Sequence, residues 1–282
     1  MGSFTELPSD VIVAVIGDPI THSKSPIMHN SWLKKAGIEG KYTAIHVRPE
    51  ELRTFAKVVR DSNMRGFNAT LPHKEALIEL CDELDDDAAA IGAVNTVSNI
   101  DGMLIGSNTD AFGFIQNIKN QHPDFDFTSG PVLVIGAGGA AKAVLYGLLQ
   151  EGVSEIFLTN RTREKAEASA KLDKHIHVVD WDARDEYVDK AGLIVNTTSL
   201  GMVGKPVLEL NLGGITPQTL VSDIVYAPLE TALLREAKEK GAQTATGVGM
   251  LIEQGRKSFH HWFGVWPEPD QKLEDQLLEF SS

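Results

Sequence analysis

Three polar clusters combine residue types that could transfer a proton and hold an anion. In Ser23-Lys24-Ser25-Pro26 two hydroxyls stand just before a helix that Pro26 can open. Hydroxyls and free N–H groups at a helix start form a carboxylate cradle without an arginine, though the same serines serve equally as helix caps. In Asn68-Ala-Thr70-Leu-Pro-His-Lys74 the proline and the turn around it fix where the lysine emerges. Alone, Lys74 reads as an exposed lysine at a helix start, and Asp110 as the cap of the helix that follows it. Together they offer a lysine–carboxylate pair, and burial beside a counter-charge is how proton-transfer groups are tuned. Asn68, Thr70, Asn95 and Asn108 supply donors and acceptors suited to a polyol.

A second kind of chemistry is written between residues 131 and 162. The apolar run Pro131–Ile135 stops at Gly136-Ala137-Gly138-Gly139-Ala140, and an apolar helix follows. Strand, glycine turn and helix in that order bring backbone N–H groups and a helix N-terminus against a pyrophosphate. The next apolar run, Glu155–Thr159, ends at Asn160-Arg161-Thr162. An NAD site usually carries Asp or Glu there for the ribose 2′-OH. Arg161 instead suits a 2′-phosphate, and Lys165 adds a second positive charge one helical turn on. The competing reading is a solvated arginine followed by Thr162 as a helix cap. The glycine turn upstream favours NADP.

These groups need two frames to position them. The 282 residues suffice for two domains. Strands alternate with helices in the first half: strands over 11–16, 42–47 and 66–71, helices over 26–36, 49–62, 74–84 and 86–91, then a hairpin of 94–98 and 103–107 turning at Asn99–Gly102. Asp110 opens a helix to Ile118. After the nucleotide strands, runs near 176–180, 192–196 and 220–225 complete a doubly wound sheet, and Met250–Trp262 reads as an amphipathic helix returning to the first domain. The expectation is an α/β chain with a mostly parallel N-terminal substrate domain, 1–112 plus 247–282, and a Rossmann-type NADP domain, 113–246. A ligand cleft is expected between them.

Bulk properties remove other classes. A net charge of −13 argues against nucleic acid. No run approaches the roughly 20 apolar residues of a membrane span, and Met1–Asp10 lacks a secretory pattern. The lone Cys81 allows no intrachain disulfide and reads as a structural thiol, in keeping with a reducing cytoplasm. The acidic run Asp82–Asp87 and the acidic C-terminal tail read as solvated faces. The nine histidines show no metal-binding spacing with a third ligand, so no metal is expected.

The segments Asp18–Pro26, Asn68–Lys74, Gly92–Val97, Gly106–Asp110, Gly136–Ala140, Asn160–Thr162, Asp223–Pro228 and Gly247–Leu251 with Gln254 together resemble shikimate dehydrogenase, collinearly over about residues 11–264. The resemblance implies reversible NADPH-dependent reduction of 3-dehydroshikimate to shikimate, a step toward chorismate and the aromatic amino acids. It implies Lys74 and Asp110 as the catalytic pair, with Ser23 and Ser25 on the substrate carboxylate. Asn68, Thr70, Asn95, Tyr226 and Gln254 would contact the substrate. Gly136–Ala140, Asn160, Arg161, Thr162 and Lys165 would bind the cofactor, with Ile224 and Gly247 against the nicotinamide. Shikimate or 3-dehydroshikimate and NADP(H) are then the expected ligands of a monomer or homodimer. Ala69, Lys165 and Ile224 stand where the family commonly has valine, arginine and methionine. Ser25 stands where quinate-preferring relatives carry threonine, which favours shikimate. A broader quinate/shikimate enzyme and a non-catalytic NADP sensor are the competing readings. The Lys74–Asp110 pair argues against the sensor.

Overall fold

The computed structural model describes residues 8–21, 23–268, 270, 273, 276 and 277. Met1–Leu7 and most of the acidic C-terminal tail, both read above, lie outside the described residues. The chain forms two compact units. One runs to Thr109 and resumes at Gln254; the other spans Asp110–Glu253.

The first unit is built on strand β1, Val11–Gly17, an apolar run buried along nearly its whole length. Such a run suits a strand covered on both faces. Strands β2 (Lys41–His46) and β3 (Gly66–Ala69) pair with it in parallel. The sheet continues through β4 (Glu83–Leu84), β5 (Thr96–Ile100) and β6 (Met103–Ser107) in the order β2-β1-β3-β5-β6-β4. Pairings β3–β5 and β5–β6 are antiparallel, so the sheet is mixed. The hairpin turns at Asp101-Gly102, both at positive φ, the geometry that matches strand twist. Helices α1 (Ser25–Lys35), α2 (Leu52–Arg60) and α3 (Asp86–Ile91) flank these strands in sequence. Helix α2 buries Leu52, Phe55, Ala56 and Val59, a single face of the helix.

Two expectations fail here. No helix spans 74–84. One 3₁₀ turn, Ala76–Glu79, gives way to β4, which pairs with β6. The backbone is captured across the chain: Asp82 N–H donates to the Leu104 carbonyl at 2.8 Å, and the Asp82 carboxylate accepts the Leu104 N–H at 2.7 Å. Nor is the acidic run merely a solvated face. Asp82 pairs with Arg60, and Asp85 caps α3 by accepting the Ala88 N–H.

In the second unit, helix α4 (Asp110–Gln121) leads to an all-parallel sheet. Its strands are β7 (Val132–Ile135), β8 (Ile156–Thr159), β9 (Ile176–Val179), β10 (Leu193–Asn196), β11 (Leu220–Asp223) and β12 (Gln243–Ala245), in the order β12-β11-β10-β7-β8-β9. Alternate residues of β7 enter different cores. Val132 and Val134 pack with Val144, Leu145 and Leu148 of α5 (Gly139–Gln150). Leu133 and Ile135 pack with Leu233, Leu234 and Ala237 of α7 (Ala232–Glu239). The strand is therefore covered on both faces, which explains its unbroken apolar sequence. Helix α6, Arg163–Ala170, follows β8. Strand β12 and helix α7 extend this unit beyond the expected last strand. Helix α8 covers Val248–Phe263, and its residues from Gln254 on belong to the first unit. Among the described residues no helix is long and apolar enough to cross a membrane.

Candidate active site

In the first unit the loops after β1 and β3 are stitched together. Thr70 N–H donates to the Ile16 carbonyl at 2.9 Å, and Asp18 N–H to the Leu71 carbonyl at 3.0 Å. His73 is buried, with Nε2 2.7 Å from the Val47 carbonyl oxygen. The next residue, Lys74, accepts the Val94 N–H on its own carbonyl at 2.8 Å. The half-buried Lys74 thus leaves a backbone held on both sides, so the lysine is positioned by the chain and not by a free helix start.

Beside it lies a buried polar network. Asn95 Oδ1 accepts the Thr109 N–H at 2.8 Å, and Asn95 Nδ2 donates to Thr109 Oγ1 at 3.0 Å. The single Thr109 hydroxyl proton has three acceptors in reach: Asn95 Oδ1 at 3.2 Å, Ser258 Oγ at 3.2 Å and Gln254 Oε1 at 3.5 Å. Asn68 Nδ2 has three acceptors: Thr96 Oγ1 at 2.9 Å, Ser258 Oγ at 3.0 Å and the Asn95 carbonyl at 3.2 Å. Asn68 Oδ1 accepts from the Tyr42 hydroxyl at 2.7 Å. The Tyr42 phenol is pushed well above its ordinary pKa by burial, and the Ser25 side chain hydrogen-bonds to it. Ser23 Oγ accepts the Ser25 N–H at 3.3 Å. The residue preceding helix α1 is Lys24, which makes no side-chain cap. Of the anticipated residues, the network joins Asn68, Asn95 and Gln254 directly and reaches Ser25 through Tyr42. Asp110 is buried at the start of α4 in the other unit, immediately after Thr109.

In the second unit the turn after β7 has the features that a pyrophosphate needs. Gly136 has φ of +111°, and a Cβ there would lie 2.5 Å from Thr197 Oγ1. Only glycine fits that conformation and that approach. Helix α5 begins at Gly139 with no side chain capping it, so its leading N–H groups are available to an anion. After β8, Asn160 Nδ2 donates to the Thr162 carbonyl at 2.8 Å. Arg161 and Lys165 are exposed. The neighbouring Arg163 is different: it pairs with Glu167 at 2.8 Å and with Asp180. Arg161 lines a cavity of about 470 Å³ together with Asn160, Trp181 and Asp182.

The loop after β11 is held from below by a fully buried carboxylate. Asp223 Oδ1 accepts from Asn196 Nδ2 at 3.0 Å and from Val225 N–H at 3.0 Å, and Oδ2 accepts from the Thr231 hydroxyl at 2.8 Å. Burial raises the pKa of this carboxyl above the ordinary carboxylate value, against those hydrogen bonds. Ile224 and Tyr226 project from this braced segment, and burial also raises the Tyr226 phenol. Gly247 packs directly on Ile224, whose carbonyl oxygen would be 2.5 Å from any Cβ at that position.

Tyr42 and Ser258 are site components that the sequence alone does not single out, and Thr96 and Thr109, which lie in the Gly92–Val97 and Gly106–Asp110 motifs, carry no assigned role there. Ser258 had a signal in its favour: it stands one helical turn after Gln254 on α8, hence on the same helix face. Cys81 behaves as a structural thiol, its pKa pushed up to about 11 by burial. Among the described residues no cluster of three or more His, Cys, Asp or Glu side chains could hold a metal ion.

Residues 15–97 match the shikimate dehydrogenase substrate-binding domain, and residues 118–203 the shikimate/quinate 5-dehydrogenase domain. The chain is 45% identical over 273 residues to a shikimate dehydrogenase (NADP(+)) of Rhodospirillum rubrum, covering 95% of this chain and 96% of that one. The chain belongs to the shikimate dehydrogenase family. Shikimate 5-dehydrogenase of Thermus thermophilus, solved with NADP(H) and shikimate, is 38% identical and superposes with a TM-score of 0.86, covering 96% of this chain and 99% of that one. A quinate dehydrogenase of Corynebacterium glutamicum, solved with NAD, shares the fold at 28% identity and a TM-score of 0.87, with 96% and 98% covered. Family membership accounts for both units, the mixed sheet and the all-parallel Rossmann-type sheet.

Proposed function

We propose that this chain catalyses the reversible NADPH-dependent reduction of 3-dehydroshikimate to shikimate, working in the cytoplasm. The observation that carries the reading is Lys74, half-buried and held by its backbone beside the network of Asn95, Thr109 and Gln254. A lysine so fixed can deliver a proton to one place, whereas a solvated surface lysine cannot.

NADPH, when bound, supplies the hydride that adds to the substrate's C3 carbonyl carbon. Gly136–Ala140 and the uncapped start of α5 would hold its pyrophosphate. Asn160, Arg161, Thr162 and Lys165 would hold the 2′-phosphate. Arg161 is better suited than Arg163, whose guanidinium is engaged by two carboxylates. Ile224, braced by Asp223, and Gly247 would flank the nicotinamide.

Ser23 and Ser25 hold the substrate carboxylate through hydroxyl and backbone donors. Asn68, Thr70, Asn95, Tyr226 and Gln254 contact the ring and its hydroxyls. Lys74 gives a proton to the oxygen at C3 as the C–O bond becomes an alcohol, and takes it back in the reverse direction. Asp110 orients the lysine and shares the proton load.

The test is spectrophotometric: reduction of NADP⁺ on adding shikimate, followed at the nicotinamide absorbance, with quinate and NAD⁺ in parallel. Shikimate with NADP⁺ is expected to give the highest kcat/KM. Preference for quinate or for NAD⁺ would contradict the reading, as would no turnover at all.

A further inference from the structure

We propose that Ser258 is a positioning residue for the substrate-binding amides, acting through Thr96 and Thr109; this rests on the reading that Asn95 and Gln254 hold the substrate. Ser258 is fully buried on α8 and is the node of the polar network. Its hydroxyl donates to the Gln254 carbonyl at 2.9 Å and accepts from Asn68 Nδ2 at 3.0 Å. Thr96 Oγ1 lies 2.8 Å away and Thr109 Oγ1 3.2 Å away.

A serine hydroxyl has one proton and two lone pairs. The proton goes to the Gln254 carbonyl, and one lone pair takes the Asn68 amide. The remaining lone pair accepts one threonine hydroxyl, Thr96 or Thr109, but not both. The threonine left over turns to the Asn95 carboxamide oxygen, 3.0 Å from Thr96 Oγ1 and 3.2 Å from Thr109 Oγ1. That oxygen already accepts the Thr109 N–H, so it has room for one hydroxyl. Ser258 therefore removes one of two competing donors from Asn95. With it, the Asn95 carboxamide is held oxygen toward Thr109, and its orientation is set before substrate arrives. Without it, Thr96 turns to the Asn95 oxygen and displaces Thr109 to its longer 3.5 Å contact with Gln254 Oε1, and Asn68 loses an acceptor.

Polar atoms from β3, β5, the loop after β6 and α8 meet at this hydroxyl, and none carries a net charge. The geometry is thus a device for orienting amides, with no part in proton transfer to the substrate.

The experiment compares Ser258→Ala and Ser258→Cys with Gln254→Ala and with Trp262→Phe. Loss of one hydrogen bond in the network should raise the shikimate KM about three- to tenfold, leaving kcat and the NADP⁺ KM nearly unchanged. Ser258→Cys, which keeps the side-chain volume and a weak donor, should fall between serine and alanine. It also stands in if the alanine variant does not fold. Trp262, on the same helix as Ser258, donates from Nε1 to the Val97 carbonyl of β5 at 3.0 Å; Trp262→Phe removes that bond while keeping a ring against Tyr42 and leaving every hydrogen bond of the network in place. It should lower the melting temperature with no shift confined to shikimate. A raised shikimate KM in Gln254→Ala but a wild-type value in both Ser258 variants would overturn the proposal alone. Wild-type shikimate KM in Gln254→Ala as well would overturn the underlying site reading with it. Equal KM shifts for shikimate and NADP⁺ in the Ser258 variants, matched by Trp262→Phe, would reduce Ser258 to a packing residue.

Discussion

Gly247 sits so close to Ile224 that a Cβ on it would lie 2.5 Å from the Ile224 carbonyl carbon and oxygen and 2.7 Å from the Val225 carbonyl oxygen. These atoms are backbone and cannot swing aside. Gly247→Ala must therefore push the start of α8 away from the segment that carries Ile224 and Tyr226. Overpacking of this kind costs about 1–3 kcal/mol. The expected result is a lower melting temperature together with weaker NADP⁺ binding by titration. An alanine variant with wild-type stability and cofactor affinity would show that the two segments yield more easily than the contact implies.

Cofactor choice should rest on Arg161. Arg161 and its neighbour Arg163 both line the cavity beside Asn160 and Trp181, but Arg163 is occupied by Glu167 and Asp180. A hydrogen bond to a charged group is worth about 1.5–3 kcal/mol, or roughly 10- to 100-fold in affinity. Arg161→Ala should weaken NADP⁺ by that factor and leave NAD⁺ nearly unchanged in fluorescence or calorimetric titration. Equal losses for both cofactors would move the 2′-phosphate site elsewhere.

Ser23 and Ser25 differ in their local duties. Ser23 Oγ accepts the Ser25 N–H, whereas Ser25 is buried and linked to Tyr42. If both hold the substrate carboxylate, the double alanine variant raises the shikimate KM and leaves the NADP⁺ KM alone. Loss of a helix-start hydrogen bond by itself costs about 0.5–2 kcal/mol of stability. A lowered melting temperature with an unchanged shikimate KM would leave the serines with the structural duty only.

His29 gives the fold a pH dependence of known sign. Its ring stacks on Tyr42 with centroids 4.2 Å apart and planes 5° from parallel, and Trp32 meets it edge-on at 4.9 Å. Neither ring nitrogen has a hydrogen-bond partner. Burial holds its pKa down to about 3, from an ordinary 6.5. Above pH 6.5 the ring is neutral in both folded and unfolded chains, and His29 gives stability no pH dependence. As pH falls from 6.5 toward 3 the unfolded chain binds a proton that the folded chain refuses, so stability is lost. The slope approaches about 1.4 kcal/mol per pH unit. His29→Phe keeps an aromatic ring in the stack and should flatten denaturant-derived stability over that window, whatever its absolute stability. An unaltered slope would mean that the imidazole is charged or hydrated in the folded protein.

How much of this was legible beforehand depended on sequence distance. The turn at Gly136–Ala140 and the Asn160–Arg161 segment were readable because strand, turn and helix are consecutive, and local apolar periodicity marks each. The hairpin at Asn99–Gly102 was readable for the same reason, since Asp101-Gly102 fits a turn with two positive φ values. The stretch 74–84 reads as a helix because its helical periodicity is local, while the force that opens it is not. Asp82, Glu83 and Leu84 are drawn to β6, some twenty residues on. Strand β12 is three residues long, with too little pattern to announce itself. The polar network was unreadable for the strongest version of that reason: Asn68 and Ser258 are 190 residues apart, and neither residue type betrays its partner.

The central claim is that Lys74 carries the proton with Asp110 as its partner, and pre-steady-state turnover of Lys74→Ala tests it most directly. Removing a general acid–base group costs roughly 10²–10⁴ in rate. The account predicts a fall in kcat on that scale with little change in the shikimate KM. It further predicts that the variant carrying both Lys74→Ala and Asp110→Ala is scarcely slower than the lysine variant alone, because the two act as a unit. Near-normal kcat in Lys74→Ala with chemistry rate-limiting, or fully multiplicative losses in the double variant, would contradict it.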